Sequence, residues 1–149
     1  MKTPLFLSVC AAAALFSQPL LAAQPTVWML GTVSSQGTTQ SKTLFFSDPA
    51  IRSLAECKEE IQRGRLNQWR YYNPPSGRSF NVGESINFRC VLSEGQPDKW
   101  IRNAPYSLTY LLTLDGDRLT LKGENTLATC LSARSGNSQC TSASQHISF

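Results

Sequence analysis

The chain has 149 residues, of which 41% are hydrophobic and 16% are charged, and its formal net charge at pH 7 is +4. This length fits one domain of ordinary size and excludes an enzyme with a separate cofactor domain. The hydrophobic and aromatic content argues against intrinsic disorder, and the charge is too small for a protein that coats nucleic acid.

Residues 1–23 have the pattern of a cleaved secretory signal. Lys2 supplies a positive start, residues 5–16 are apolar, and the small residues Ala22 and Ala23 end the segment. A membrane anchor is the alternative, but polar residues interrupt the apolar run before the roughly 20 residues that a span needs. We therefore expect a periplasmic or secreted domain over residues 24–149, with no stable membrane anchor.

The first part of that domain is predicted to hold two strands and one helix. Apolar and β-branched residues favour strands over residues 26–33 and 42–46. Asp48 is expected to cap a helix whose first residue is Pro49. Gly64 is expected to end it. The apolar stripe of this helix is formed by Ala50, Ile51, Leu54, Cys57 and Ile61.

The rest of the domain is predicted to be mostly strand. Residues 69–72 resemble a short strand, residues 85–92 alternate apolar with polar, and residues 106–114 do the same. Asp115 and Gly116 then form a hairpin turn. The expected fold class is α+β: a single domain with one main helix packed on a mostly antiparallel β-sheet. A small barrel wrapped around the helix is the alternative.

Four cysteines outside the signal are expected to form two disulfides. An even number of cysteines in an exported chain indicates bridges, and four allow three pairings. A hairpin loop around Gly136 would place Cys130 opposite Cys140, which leaves Cys57 for Cys90. Cys57 lies on the apolar helix stripe and Cys90 on the apolar strand face, so this pairing is also geometrically reasonable. A zinc site is disfavoured because no closely spaced cysteine pair is present.

Residues suited to catalysis are few. His146 is the single histidine, and a lone histidine near a chain end lacks the third group that orients a catalytic base. Glu84, Glu94 and Asp98 are predicted to lie in loops, where a glycosidase-like acid pair would be conceivable. No phosphate-binding glycine loop or metal motif is present in the sequence. We therefore expect a protein that is not an enzyme and has neither a cofactor nor a metal.

One segment is typical of a binding surface. Residues 62–82 contain no acid, and arginines alternate there with aromatic residues. Arginine and large aromatics dominate the energetics of protein interfaces. A second aromatic, Trp100, lies in a proline-containing loop beside Lys99. The predicted binding residues are Arg63, Arg65, Trp69, Arg70, Tyr72 and Trp100. The alternative interpretation is that the aromatics pack in the core while the arginines form a solvated rim.

These observations favour an exported, non-enzymatic binding protein of the bacterial envelope. The expected partner is another protein of net negative character, in the manner of an inhibitor or an immunity protein. A module that binds polysaccharide or another polyanion is the alternative, because arginine and aromatics also suit anions and sugars. A small hydrolase is a third hypothesis, which the catalytic inventory disfavours. No nucleic acid is expected as a partner.

Overall fold

The computed structural model describes residues 24–37, 40–75 and 83–149, so the predicted signal at residues 1–23 lies outside the described residues. Strands dominate this part of the chain, with two short helices between them. The elements are β1 (Thr26–Ser35), β2 (Ser41–Ser47), α1 (Leu54–Arg65), β3 (Glu84–Ser93), β4 (Gln96–Pro97), β5 (Leu108–Asp115), β6 (Arg118–Glu124), α2 (Leu127–Ala133), β7 (Ser138–Ala143) and β8 (Ile147–Ser148).

Six of these strands form a closed barrel in the order β1-β2-β7-β5-β6-β3. Long antiparallel pairings join β1 to β2 and β3, and β5 to β6 and β7. Two short parallel seams close the barrel: β3 meets β6 only at Leu92 and Arg118, and β2 meets β7 only at two residue pairs. The remaining strands, β4 and β8, form a small separate sheet.

The expected α+β class, with a helix packed on a mostly antiparallel sheet, is therefore wrong, because the sheet closes on itself. Alternation of apolar and polar residues is the same along an open sheet and along a barrel strand, so the pattern alone does not separate them. The alternative, a small barrel wrapped around the helix, is right about the closed barrel and wrong about the helix. Side chains of the strands themselves fill the interior, and α1 packs in a separate cluster against β1 and β3.

The barrel interior is built around an aromatic row. Phe45 contacts Trp28 on one side and Tyr110 on the other, each edge-to-face with ring centroids 5.9 Å apart. Aliphatic side chains from β1, β3, β5 and β6 complete this core. Since Trp28 points inward while Met29 points outward, β1 is buried on both faces.

Helix α1 covers the outer face of β1 and β3. Its residues Cys57 and Ile61 pack with Val27 and Met29 of β1. The Cys57–Cys90 disulfide joins the helix to β3. This confirms the pairing expected from the two apolar faces.

The start of α1 was predicted wrongly. The helix begins at Leu54, and Ser53 is its N-cap. Ser53 and Glu56 form a reciprocal capping box that satisfies two free backbone N–H groups, which is a stronger signal than a lone aspartate before proline. Asp48 instead holds a turn, in which its carboxylate accepts from the Ala50 backbone N–H.

The second disulfide, Cys130–Cys140, is confirmed, although the expected hairpin is wrong. Cys130 lies in helix α2, which begins after a capping box formed by Thr126 and Thr129. The bridge therefore joins α2 to β7. Two disulfides are consistent with an exported protein. Within the described ranges, no helix is long and apolar enough to cross a membrane.

Candidate functional site

The six residues predicted to bind a partner do not share one cavity. Arg65 and Trp69 line a cavity of about 280 Å³ at the end of α1, here called the helix-end cavity. Tyr72 and Trp100 line another of about 350 Å³. Arg63, in the last turn of α1, and the exposed Arg70 are not among the residues lining either cavity.

Trp69 is held in place as a packing residue. Its ring meets Phe88 edge-to-face at 5.3 Å between centroids. The ring also lies over Gly64, where a Cβ atom would come within 2.1 Å of the indole. Gly64 therefore does not end the helix, as was predicted, but leaves room for the indole. Trp69 therefore packs in the core, as the alternative interpretation of the aromatic residues expects.

A buried carboxylate positions the chain that follows. Glu60 on α1 is only 1% exposed, and its Oε1 accepts the backbone N–H groups of Arg70 at 2.6 Å and Tyr71 at 2.9 Å. Because these two N–H groups bond to a side chain, they do not pair with a neighbouring strand. The short strand predicted at residues 69–72 is absent. Tyr71 and Tyr72 lie beside residues 45–47, at the end of β2.

The larger cavity is bordered by three stretches: residues 45–47 at the end of β2, residues 71–73, and residues 96–100. We call it the aromatic cavity. Phe46 lines it, and its ring centroid lies 6.1 Å from that of Tyr72 and 6.5 Å from that of Trp100. Its volume falls at the lower end of the range for small-ligand sites, roughly 300–1,000 Å³.

Two residues that line the aromatic cavity each carry a buried polar side-chain atom with no hydrogen-bond partner. The two atoms are the Tyr72 hydroxyl and the Trp100 Nε1, and both are closed off from bulk water. Leaving a buried donor unpaired costs about 1–3 kcal/mol. Tyr72 as a whole is only 4% exposed.

The Tyr72 hydroxyl stays protonated at neutral pH. Burial raises its pKa well above the ordinary value of 10, and the negative charges of Asp48 and Glu60 raise it further. The phenol therefore remains a hydrogen-bond donor over the physiological range.

The backbone around the aromatic cavity is already hydrogen-bonded. The buried Gln145 side chain accepts from the Phe45 N–H and donates to the carbonyls of Phe45 and Asp98. The Gln96 carbonyl accepts from the Ser148 hydroxyl. These three carbonyls of the cavity walls therefore already have a donor each.

Exposed apolar side chains flank the aromatic cavity. Tyr71, which lines it, is 47% exposed, and Ile101, next to Trp100 in the chain, is 66% exposed. We call these two residues the cavity rim. Exposed residues Arg70 and Lys99 adjoin these stretches and carry positive charge. An aromatic cavity with apolar neighbours and nearby cations has the composition of an interface hot spot.

Of the candidate catalytic residues, Asp98 lines the aromatic cavity, whereas His146, Glu84 and Glu94 are not among its lining residues. His146 is exposed, and Glu84 is the first residue of β3, where it forms an ion pair with Lys42 at 3.0 Å rather than lying in a loop. In the described part of the chain, no three His, Cys, Asp or Glu side chains are placed to hold a metal ion.

Of the residues at the aromatic cavity and its rim, Tyr72 and Trp100 are among the predicted binding residues, whereas Phe46, Tyr71 and Ile101 are not. Phe46 carried a usable signal: two consecutive phenylalanines in a strand point to opposite faces, so one of them lies outside the barrel. The exposure of Tyr71 depends on the backbone held by Glu60, which no local pattern reveals.

Comparisons of the chain with protein-family models, with curated proteins and with solved structures returned no match. The geometry and chemistry of the aromatic cavity are thus the basis on which a function can be proposed.

Proposed function

We propose that this chain is an exported, non-enzymatic binding protein that engages another protein through the aromatic cavity and its rim. The observation that carries this proposal is the aromatic cavity itself, lined by Phe46, Tyr72 and Trp100 and flanked by the exposed Tyr71 and Ile101. A partner side chain or loop that enters the cavity would bury these rings and cover the apolar rim. An inhibitor or an immunity protein of the bacterial envelope would work in this way.

Export to the periplasm or the medium is part of the proposal. Two disulfides support it, because such bridges persist in oxidising compartments. Cleavage after Ala23 should leave a chain that begins at Gln24. The intact mass of protein recovered from the periplasm measures this cleavage, and a full-length chain in the membrane fraction would contradict it.

The proposed partner has net negative character. Arg70, Lys99 and Arg102 are exposed in the stretches that border or adjoin the aromatic cavity, against two exposed acids, Glu94 and Asp98, and the half-buried Asp48. Charge of this kind at an interface rim accelerates the encounter with an acidic partner more than it strengthens the final complex. Replacing Arg70 by alanine should therefore slow association and weaken its salt dependence, while dissociation stays nearly unchanged.

Affinity purification from an envelope extract tests the proposal. The site variant replaces both Tyr71 and Ile101 by alanine, and the matched control replaces Leu131, which is 51% exposed on α2. One protein partner should be retained by the wild type and the control and lost by the site variant. Hot-spot truncations cost about 2–4 kcal/mol, so affinity should fall at least tenfold. Equal retention by all three proteins would refute the site.

An envelope polysaccharide is a second candidate ligand. The half-exposed Tyr71 ring borders the cavity together with the exposed amide side chains of Asn73 and Gln96, a combination that can stack on and hydrogen-bond a sugar. An oligosaccharide that binds the wild type and not the Tyr71→Ala variant would favour this candidate over a protein partner. A binding constant that falls steeply with salt would indicate a polyanion.

A further inference from the structure

Over most of its length, strand β3 is paired along one edge only. On one side, β1 pairs with all 10 residues of β3 in an unbroken register. On the other side, β6 meets β3 only at Leu92 and Arg118, close to the end of β3. Among the described residues, no other strand pairs with the earlier part of this edge.

The unpaired backbone groups follow from the alternation along the strand. The Leu92 N–H donates to the Asp117 carbonyl on the β6 side, at 2.8 Å. Because successive residues of a strand direct their N–H and C=O groups to opposite edges, the groups of Ile86 and Phe88 face the same side as those of Leu92. Within residues 24–37, 40–75 and 83–149, the backbone of neither Ile86 nor Phe88 has a partner on that side. We call residues 85–89 the β3 edge.

The β3 edge lacks the devices that commonly prevent a further strand from pairing. Lysine, proline and β-bulges are among the usual means by which natural proteins block an edge. Residues 85–89 contain neither lysine nor proline, and their register with β1 has no bulge. The β3 edge therefore has the backbone geometry to accept an extended segment by β-augmentation.

The helix-end cavity lies beside the β3 edge. Ile86, Asn87 and Phe88 line it from β3, and Trp69 and Arg65 line it from the end of α1 and the residues that follow. Alternate side chains of an added strand would point to this face of the sheet. An apolar side chain at such a position would enter the cavity and pack on the Trp69 and Phe88 rings.

Two exposed arginines flank the β3 edge on its two faces. Arg65 borders the helix-end cavity, on the face that α1 covers. Arg89 belongs to the opposite face, which also carries Val91 of the barrel core. Neither arginine forms an ion pair with a described residue, whereas the acid at the start of β3, Glu84, is paired with Lys42. This positive charge disfavours a second copy of the same edge and favours an acidic segment.

We propose that the β3 edge binds an extended segment of another protein as an added strand, with an apolar side chain in the helix-end cavity and acidic side chains beside Arg65 and Arg89. The backbone groups of Ile86 and Phe88 supply two donors and two acceptors, which the backbone of the segment satisfies. The helix-end cavity and the aromatic cavity share no lining residue, so this second binding surface does not depend on the proposed function.

Hydrogen exchange in the free, disulfide-bonded protein tests whether the β3 edge is open. The amides of Asn87 and Arg89 point to β1 and should exchange slowly, whereas those of Ile86 and Phe88 should exchange at least about tenfold faster. Slow exchange at all four amides would show that the edge is covered and would overturn the proposal. Dimerisation in sedimentation velocity, with the Ile86 amide protected at high concentration, would assign the edge to a second copy and also overturn it.

Titration with capped peptides tests what the β3 edge binds. The probe is acetyl-Val-Glu-Leu-Glu-Val-amide at up to millimolar concentration, and acetyl-Val-Lys-Leu-Lys-Val-amide is the matched peptide of opposite charge. The glutamate peptide should bind saturably and slow the exchange of the Ile86 and Phe88 amides. The lysine peptide should bind about tenfold more weakly at low ionic strength, since it meets Arg65 and Arg89 with like charge. Equal affinity of the two peptides would contradict the proposal.

Backbone N-methylation of the glutamate peptide separates strand pairing from contacts of side chains alone. The N–H groups of an added strand alternate between the edge and solvent. One peptide is methylated at the leucine nitrogen and the other at both glutamate nitrogens, so the two lose N–H groups that point in opposite directions. One of them should bind about tenfold more weakly than the unmethylated peptide and the other should bind as well. Equal affinity of the two methylated peptides would rule out an added strand.

A charge reversal with a matched control places the peptide on the molecule. Arg65→Glu should raise the Kd of the glutamate peptide about three- to tenfold at low ionic strength, because one attraction is replaced by a repulsion. Arg134→Glu makes the same change at an exposed residue after the last turn of α2 and should leave the Kd nearly unchanged. The double alanine variant of Tyr71 and Ile101 should also leave it unchanged, so this site stands even if the proposed function fails. Equal Kd values for Arg65→Glu and Arg134→Glu would overturn the proposal.

Discussion

Replacing Gln145 by alanine should destabilise the protein more than any other single glutamine substitution at a described position. Gln145 is 2% exposed and lies at the seam where β2 and β7 share only two residue pairs. Its side chain accepts from the Phe45 N–H at 2.8 Å and donates to the Phe45 carbonyl at 2.7 Å, as a neighbouring strand would. A third bond, 2.6 Å long, reaches the Asp98 carbonyl.

The size of the effect follows from these three bonds. Each buried hydrogen bond contributes about 1 kcal/mol net, and a buried group left without a partner costs about 1–3 kcal/mol. Gln145→Ala leaves one N–H and two carbonyls without their partner. Water can reach some of these groups through the vacated volume. We expect a loss of about 3–5 kcal/mol in the free energy of unfolding, a large part of the ~5–15 kcal/mol that a typical domain has.

Urea unfolding followed by tryptophan fluorescence measures this loss. Gln68→Ala is the matched control, because Gln68 is exposed and its substitution should change stability by less than about 0.5 kcal/mol. Gln145→Glu adds a second comparison: the carboxylate keeps the size of the side chain but cannot donate to either carbonyl, so it should be at least as harmful at pH 7. The reasoning is refuted if Gln145→Ala is no less stable than Gln68→Ala.

Three further predictions concern the outer layer of the fold. Gly64→Ala should cost about 1–3 kcal/mol by displacing the Trp69 indole, despite the gain of up to ~1 kcal/mol in helix propensity. Backbone hydrogen bonds from Arg52 and Ser53 lower the pKa of Glu56 from 4.5. Ionised Glu56 therefore stabilises the fold above pH 4.5, and this contribution is lost as the pH falls through its lower folded-state pKa, so Glu56→Gln should be less stable than wild type at pH 7 and approach it in acid. Removing the Cys57–Cys90 bridge, whose cysteines are 33 residues apart, should lower the free energy of unfolding by about 3.7 kcal/mol. Removing the Cys130–Cys140 bridge, with a separation of 10 residues, should lower it by about 2.7 kcal/mol.

Each of these predictions has its own control. Gly123→Ala introduces a Cβ no closer than 3.9 Å to its nearest neighbour, and a loss equal to that of Gly64→Ala would show that the Trp69 contact is irrelevant. A stability difference between Glu56→Gln and wild type that stays constant from pH 7 to about pH 2 would contradict the capping-box argument. For the disulfides, paired alanine variants are compared in urea, and a larger loss for the shorter bridge would contradict the loop-entropy ranking.

Much of the local structure was readable in the sequence. The alternation along β3 and β5 and the Asp115–Gly116 turn identified strands correctly, because side-chain period and turn chemistry are local properties. The Cys57–Cys90 bridge was predicted by elimination and from the apolar faces of the helix and the strand that carry the two cysteines, and it is confirmed. The Cys130–Cys140 bridge was right for a wrong reason, since ten residues of separation suit a short helix joined to a strand as well as a hairpin.

Barrel closure and the candidate site were not readable in the same way. Closure depends on two seams of one and two residue pairs, too short to leave a pattern. The predicted acid-free binding segment divides between two cavities because Glu60, ten residues before Arg70, captures its backbone N–H. Interactions of this kind join residues that local periodicity does not connect, so they appear only in the folded chain.

The weak seam and the aromatic cavity are physically linked through Gln145. Its amide joins Phe45 and Asp98, which stand on two different walls of the cavity. A ligand that bridges these walls should therefore suppress the local opening that exposes the Phe45 N–H to solvent. We expect hydrogen exchange at the Phe45 amide to slow when the protein partner retained by the wild type saturates the site. The Leu112 amide, in β5 within the barrel core, should be unaffected in the same experiment. Phe45 exchange that is unchanged at saturation would show that the seam and the cavity open independently.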